Sequence, residues 1–215
     1  MIPNWAVALQ KIDDGDGQAV SKDEAEEVST VNGAVADDDC DEEEEEEELT
    51  EEELLRDYIE SESAAFVAGV LEKSEIEGGL VGRMKLFYQA LLGTCTGKFH
   101  ERMQSKDKYI AALAKDPSTQ ASQLIALEHF LTQIKPERIA EIPFILKMLF
   151  EEDLIDENII VMWGEHVGVA KKHGVDAKSA AEIRAIAKPV IDWLQEDDED
   201  EDDDDEDDED DEDDE

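Results

Sequence analysis

The feature that most limits what this chain can fold into is the placement of its acidic residues. Of the 62 Asp and Glu residues, 20 form the unbroken run 196–215, and residues 37–48 contain 11 more. Runs of like charge repel each other and offer nothing apolar to bury, so they do not join a packed core. The sequence therefore predicts one folded domain, residues 49–195, between two disordered acidic segments, 1–48 and 196–215.

The net charge of −43 excludes some classes of protein and favours basic partners. A protein that binds duplex nucleic acid needs clustered Lys and Arg to neutralise phosphates, and this chain presents the opposite field. No apolar run approaches the roughly 18–20 residues of a membrane-spanning helix. The first residues lack the basic and apolar regions of a secretory signal. Cys40 and Cys95 are the only cysteines, and we expect free thiols in a cytoplasmic protein.

The apolar residues of segment 49–195 follow a helical period. They make up 70 of its 147 positions, enough for one core. Leu80, Met84, Phe87 and Leu91 form a single stripe with the spacing of an α-helix. No stretch shows the sustained alternation of a half-buried strand. We therefore predict an all-α domain of six or seven helices, arranged as stacked helical hairpins. Because no clean sequence repeat is present, a regular solenoid is only one option.

Local start and stop signals divide this segment into helices. Capping residues and prolines at the first helical position mark the beginnings, and glycine marks an end. The predicted signals are Thr50 with Glu53, Asp116 before Pro117, Pro136, Asp156, Ser179 with Glu182, and Gly174 as a terminator.

No motif indicates catalysis, a metal or a cofactor. Residues 93–98 resemble a phosphate-binding loop, but one residue is missing between the glycines and Phe99 stands where Ser or Thr would bind magnesium. The stretch around Asp14 and Asp16 lacks the ligands of a calcium loop at its first and twelfth positions. The four histidines show no ligand spacing, and no nucleophile constellation is present. We expect polar loops at these places, and no enzyme.

Two clusters combine aromatic residues with carboxylates, which suits a lysine-rich partner. Aromatic side chains supply buried area, and acidic ones steer the encounter and set its salt dependence. The candidate partner-binding residues are Phe150, Glu151, Glu152, Asp153, Asp156, Glu157, Trp163 and Glu165 in the first cluster, and Trp193, Glu196, Asp197 and Asp198 in the second.

Both tryptophans also fit a packing role. Trp163 lies four residues after Ile159 and four before Val167, which is a core stripe, and Trp193 lies next to Leu194. The flanking acids can equally form a solvated face or favour a helix N-terminus. Our interpretation is that the tryptophans brace the surface while the carboxylates contact the partner.

The same residues carry a resemblance to a known family. The stretch from Ile142 to Leu154, then Trp163, the segment 182–184, Lys188-Pro189 and Trp193-Leu194 resemble the two-tryptophan domain at the C-terminus of eukaryotic translation initiation factor 5. The resemblance is strongest over residues 124–198. The ε subunit of exchange factor 2B and the scaffold factor 4G share this domain.

The resemblance implies an α-helical, HEAT-like fold and a role in assembling the translation preinitiation complex. In the family, acidic–aromatic boxes bind lysine blocks of the β subunit of initiation factor 2, and the domain also contacts initiation factors 1 and 3. By position, the first box maps to 150–153, Asp156, Glu157, Trp163 and Glu165. The second maps to Trp193 and the acids from Glu196.

Other interpretations of the function remain open. The full-length factor has an N-terminal zinc-ribbon domain with a GTPase-activating arginine, but this chain has no CxxC and no Arg before Arg56, so we do not expect GTPase activation. One alternative is the corresponding domain of the exchange factor's ε subunit. Another is an acidic protein that resembles a histone chaperone, in which the run 196–215 carries the binding.

Overall fold

Helices account for the whole architecture of the residues that the structure, a computed structural model, describes, namely 49–197. Within that range no strand is present, and the predicted all-α fold class is confirmed. The helices are α1 Glu51–Ser61, α2 Ala64–Lys73, α3 Gly79–Leu92, α4 Phe99–Gln104, α5 Asp107–Leu113, α6 Pro117–His129, α7 Ile142–Glu151, α8 Glu157–Glu165, α9 Val169–Lys172 and α10 Ala177–Asp197. The predictions for 1–48 and 198–215 concern residues outside this range.

Two predicted helix starts are confirmed in atomic detail. The Thr50 hydroxyl accepts from the Glu53 amide at 3.3 Å, and the Glu53 carboxylate accepts from the Thr50 amide at 3.0 Å, which is a complete capping box. Asp116 caps α6, with Pro117 at its first position, by accepting from the amides of Ser118 and Thr119.

The core is built around α3 and α6. The predicted stripe on α3 is confirmed, since Met84, Phe87 and Leu91 are buried and Leu80 is partly buried. Helix α3 packs against both α1 and α6, and α6 packs against α8. Helix α10 closes the other end by packing on α7 and α8. The long α10 therefore joins the two helices that carry the first predicted acidic–aromatic cluster.

Two boundary predictions are wrong in detail. Pro136 opens a separate 3₁₀ turn, Pro136–Glu141, and α7 begins only at Ile142. The helix bearing Trp163 ends at Glu165, and Gly174, with φ +86°, instead follows the short α9. In both cases the apolar pattern does not separate a short helical segment, Pro136–Glu141 or Val169–Lys172, from the helix beside it, because such a segment has too few apolar positions to show its own period.

The capping box predicted at Ser179 and Glu182 is also wrong. Helix α10 begins at Ala177, and Asp176 caps it by accepting from the amides of Lys178 at 2.9 Å and Ser179 at 3.0 Å. Hydrogen bonds from Ser179, first from its hydroxyl and then from its amide, lower the pKa of Asp176. Ser179 therefore donates to the cap instead of forming it.

Two other details bear on the site. Helix α6 ends in a π-helical turn, Phe130–Ile134, in which the Lys135 amide donates to the Phe130 carbonyl at 2.8 Å. The loop-like stretch at 93–98 connects α3 to α4, as predicted. Across residues 49–197, no helix is long and apolar enough to cross a membrane.

Candidate functional site

The first acidic cluster is exposed because the chain must reverse direction at the end of α7. Leu154 and Ile155 are buried, and both of their amides donate to the Leu149 carbonyl, which ends the helix and returns the chain to the core. Asp153 makes this possible with a left-handed backbone, φ +52°, which Asp tolerates better than most non-glycine residues. As a result, Glu151, Glu152 and Asp153 all lie on the surface.

The structure brings the two predicted clusters into contact. Phe150, at the end of α7, and Trp193, near the end of α10, meet edge to face with ring centroids 5.7 Å apart. Both rings are partly buried, and Leu194 beside Trp193 is fully buried. These residues are 43 positions apart in the chain, yet their rings are in contact, and the exposed acids Glu151, Glu152 and Asp153 directly follow Phe150.

Sequence reasoning did not include Lys147 in this surface. Its Nζ lies 5.7 Å from the centroid of the Trp193 ring and 3.3 Å from Glu151 Oε1. The ion pair has the i, i+4 spacing that stabilises helices, and this spacing was visible in the sequence. The contact of Lys147 with Trp193 could not be seen in the sequence, because it depends on the packing of α10 against α7.

Trp163 occupies a different environment. It is only 6% exposed, and its indole N–H donates to Glu128 Oε2 at 2.9 Å. Arg184 lies above the indole, with its guanidinium carbon 4.8 Å from the ring centroid, and Arg184 Nε donates to the Trp163 carbonyl. Trp163 is therefore a core residue. It can affect partner binding only indirectly, by holding the surface residues around it in place.

Glu128 and Arg184 form the ionic centre of this interior site. Glu128 is fully buried and Arg184 is 6% exposed, and the guanidinium donates to both carboxylate oxygens, with Nη2 to Oε2 at 3.1 Å. Burial raises the pKa of Glu128, while the charge and hydrogen bonds of Arg184 and the bond from Trp163 oppose the shift. Sequence reasoning missed both residues, because an acid inside an apolar helix is usually interpreted as solvent-facing.

The remaining predicted residues lie at helix ends. Asp156 occupies the predicted N-cap position of α8 and is exposed, but its carboxylate makes no capping bond, and its amide donates to Gln120 Oε1 at 3.0 Å. Glu157 is partly buried in the first turn of α8, and Glu165 is exposed in the last. Glu152 accepts from Gln104 Nε2 at 2.6 Å, which ties the cluster to α4.

The second cluster continues along α10. Glu196 is exposed, and the helix extends to Asp197, two residues past the predicted domain boundary. Asp198 lies outside the described residues. Over residues 49–197, no group of three or more His, Cys, Asp or Glu side chains is placed to hold a metal ion.

The described helices carry a solvent-facing group of aromatic and acidic residues, and the part of the chain that contains this group matches a known protein family. The family model described as "W2: eIF4-gamma/eIF5/eIF2-epsilon" matches residues 119–204, which contain every residue of both clusters. Residues 119–204 are therefore similar to the W2 domain of translation initiation factors.

Within that class, the similarity is to eukaryotic translation initiation factor 5. The Zea mays factor is 32% identical over 107 residues, covering 50% of this chain and 22% of the relative. The Mus musculus factor is 38% identical over 73 residues, covering 34% of this chain and 16% of the relative. The matches thus span about a fifth of each relative's length.

A solved structure is also similar. "The C-terminal Domain of Translation Initiation Factor 5 at low pH" aligns with 24% identity and a TM-score of 0.41, covering 65% of this chain and 94% of that one.

Proposed function

We propose that this W2 domain is a scaffold that binds lysine-rich segments of other initiation factors during assembly of the preinitiation complex. The observation that carries the proposal is the contact between Phe150 and Trp193, which merges two acidic–aromatic clusters into one surface. The partners inferred from the family resemblance are the β subunit of initiation factor 2 and initiation factors 1 and 3. The site of action would be the cytoplasm.

The chemistry of the surface supports a lysine-rich ligand. Glu151, Glu152 and Asp153 follow one another on an exposed turn, so several ammonium groups can be paired along one peptide. The partly exposed ring of Trp193 offers a face for a cation, an interaction that is effective within about 6 Å of the centroid. Such a surface attracts basic partners at a rate that falls steeply with ionic strength.

The test is binding of a lysine-block peptide to the full chain at low and physiological salt. We expect the combined replacement of Glu151, Glu152, Asp153 and Glu165 by Ala to weaken binding by at least ~10-fold, since several charge contacts are lost together. The matched control replaces four exposed acids of α1 and α2 by Ala, with the same change of charge: Glu51, Asp57, Glu60 and Glu72. Equal binding by both variants would refute the assignment of the site.

A chain ending at Asp197 separates this proposal from a generic polyanion. This end point keeps α10 intact, whereas a chain ending at Gln195 would remove residues of the helix. Binding that largely survives the truncation supports the folded surface as the site. Binding that disappears with residues 198–215 would instead favour the histone-chaperone alternative.

A second candidate is the exchange-factor role, because the description of the matching family includes the ε subunit. In that case the chain would accelerate release of guanine nucleotide from initiation factor 2. A nucleotide-release assay with the full chain tests this directly. An unchanged release rate would leave the scaffold role as the better proposal, in which the chain has no enzymatic activity of its own.

A further inference from the structure

Lys147 stands in the binding surface in the position that a ligand lysine would take. Its ammonium group lies over the Trp193 ring, 5.7 Å from the centroid, and forms an ion pair with Glu151 at 3.3 Å. An aromatic face and a carboxylate are the two groups that a partner's lysine needs from this surface. In the structure both are already engaged by a lysine of the same chain.

We propose that Lys147 is a built-in competitor, which occupies the ammonium site formed by Trp193 and Glu151 until a lysine of the partner displaces it. This inference rests on the proposed function, and it adds how that site selects its ligand. The unbound surface then presents a satisfied cation site, so an incoming lysine gains only the difference between its own contacts and those of Lys147.

The geometry allows the displacement. Lys147 is carried on a flexible stem, and the side chains of Lys147 and Glu151 are each 53% exposed. Interactions between such exposed groups are individually weak, and Lys147 can turn into solvent without leaving a buried charge. The contact with Trp193 needs no backbone movement to be broken. The free energy needed to displace Lys147 is therefore small, but every ligand that uses this site has to supply it.

The competitor gives the surface a preference for blocks of lysine over single basic residues. One lysine that replaces Lys147 merely exchanges like for like. A ligand with several adjacent lysines can also pair with the neighbouring carboxylates of Glu152 and Asp153, and these additional contacts favour it over the internal lysine. Selectivity for a multivalent ligand then follows from a competitor that is monovalent.

The chain contains a matched control for this inference. Lys188 forms an i, i+4 ion pair on α10 with Asp192, at 2.5 Å, and both side chains are exposed. Asp192 directly precedes Trp193 in the chain. Lys188 resembles Lys147 in charge, in exposure and in the i, i+4 spacing of its ion pair. Within residues 49–197, however, the cation–π contact with Trp193 is made by Lys147, and Lys188 makes none.

The experiment compares K147Q with K188Q in the full chain, with a peptide of consecutive lysines as the ligand. Each variant removes one positive charge and keeps a good helix former. We expect K147Q to bind about 3- to 5-fold tighter than the wild type, and K188Q less than about 1.5-fold tighter. Equal gains in the two variants would overturn the inference, because the effect would then be only that of net charge.

A second comparison tests the role of the ring. W193L keeps an apolar side chain against Phe150 but removes the aromatic face, and its folding is checked by circular dichroism. In the W193L background, K147Q should bind no tighter than K188Q does in the same background. A full 3- to 5-fold gain there would show that Trp193 has no part in holding Lys147, and would overturn the proposal.

The outcomes separate this inference from the proposed function. If the wild type binds and K147Q gains no more affinity than K188Q, the proposal that Lys147 competes with the ligand is refuted, and the proposed scaffold function is unaffected. If neither the wild type nor K147Q binds the peptide, the scaffold function and the competitor role of Lys147 are both refuted. Nuclear magnetic resonance provides an independent readout, because the Trp193 ring current should shift the Lys147 side-chain methylene signals, and ligand binding should move them towards random-coil values.

Discussion

The two tryptophans of the clusters have similar sequence surroundings and different structural roles. Trp163 is 6% exposed and donates a hydrogen bond to a buried carboxylate, with a buried arginine above its ring. Trp193 is partly exposed and lies beside Phe150, with an exposed lysine over its ring. Each indole therefore has a cation and a carboxylate in reach, but one set is sealed from solvent and the other faces it.

The difference shows that solvent access determines what the same set of groups does. Around Trp163 the charges cannot leave, so they fix α6, α8 and α10 relative to each other. Around Trp193 the lysine can be replaced by another cation, so the arrangement suits recognition. Breaking each set in turn is the most direct way to test this comparison.

The largest effect is expected from Arg184→Met. This change leaves Glu128 buried without its counter-ion, which should lower the free energy of unfolding by about 3–5 kcal/mol. Urea denaturation measures the loss. Lys188→Met, on the exposed face of the same helix, is the control and should change stability by less than about 0.5 kcal/mol. Similar losses in both variants would contradict a structural role for the buried pair.

A smaller effect is expected from Trp163→Phe. The change removes the donor to Glu128 and leaves a buried carboxylate with one hydrogen bond fewer, at a cost of about 1–3 kcal/mol. Trp193→Phe keeps an aromatic ring against Phe150 and should cost less than about 1 kcal/mol. Thermal unfolding of the two variants gives the comparison. A greater loss at Trp193 would reverse the roles assigned to the two sites.

The interior region should also respond to pH through His129, the neighbour of Glu128. Burial, and then the charges of Lys85 and His173, lower the pKa of His129 from 6.5 to about 4. The unfolded chain therefore binds a proton below pH 6.5 that the folded state does not, so stability falls as the pH drops from 6.5 towards 4. After discounting for solvent screening of this partly buried group, the loss is about 1–2 kcal/mol.

Other acids titrate over the same range, so the test is a difference between two chains. The unfolding free energy of the wild type minus that of His129→Gln should decrease between pH 7 and pH 4.5. The cause is that Gln cannot be protonated, whereas His is protonated in the unfolded chain. A difference that stays constant with pH would show that the pKa of His129 is the same in both states.

The smallest effect is expected from Asp153→Gly at the exposed turn. Glycine adopts the left-handed conformation without strain, so stability should rise by about 0.5 kcal/mol, while one carboxylate is lost from the binding surface. Asp153→Asn is the control, because it removes the charge but tolerates the same backbone. Both variants should bind a lysine peptide more weakly. Unchanged binding would remove Asp153 from the site.

The sequence predicted local features well where the signal lay within a few residues. The all-α class, the stripe on α3 and the caps at Thr50 and Asp116 depend on spacings of three or four positions, and all are confirmed. The error at Ser179 has the same origin. Asp176 and Ser179 are both acceptable caps, and only the position of α10 against its neighbours decides between them.

Features of the site that arise from packing could not be predicted. The contact of Phe150 with Trp193 depends on how α10 lies against α7, and no local pattern encodes this. The buried pair of Glu128 and Arg184 was missed for a related reason. Each residue taken alone looks solvent-facing, and its burial becomes tolerable only when the other is present.

That mutual dependence has a consequence for how this domain can change over evolutionary time. Positions 128 and 184 lie 56 residues apart in the chain, yet a substitution at either one alone leaves an unpaired charge in the interior. Replacing both by apolar residues can restore stability, but the path leads through an intermediate less stable than either end point. We therefore expect the two positions to vary together among chains that share this buried pair, so that both charges are kept or both are lost.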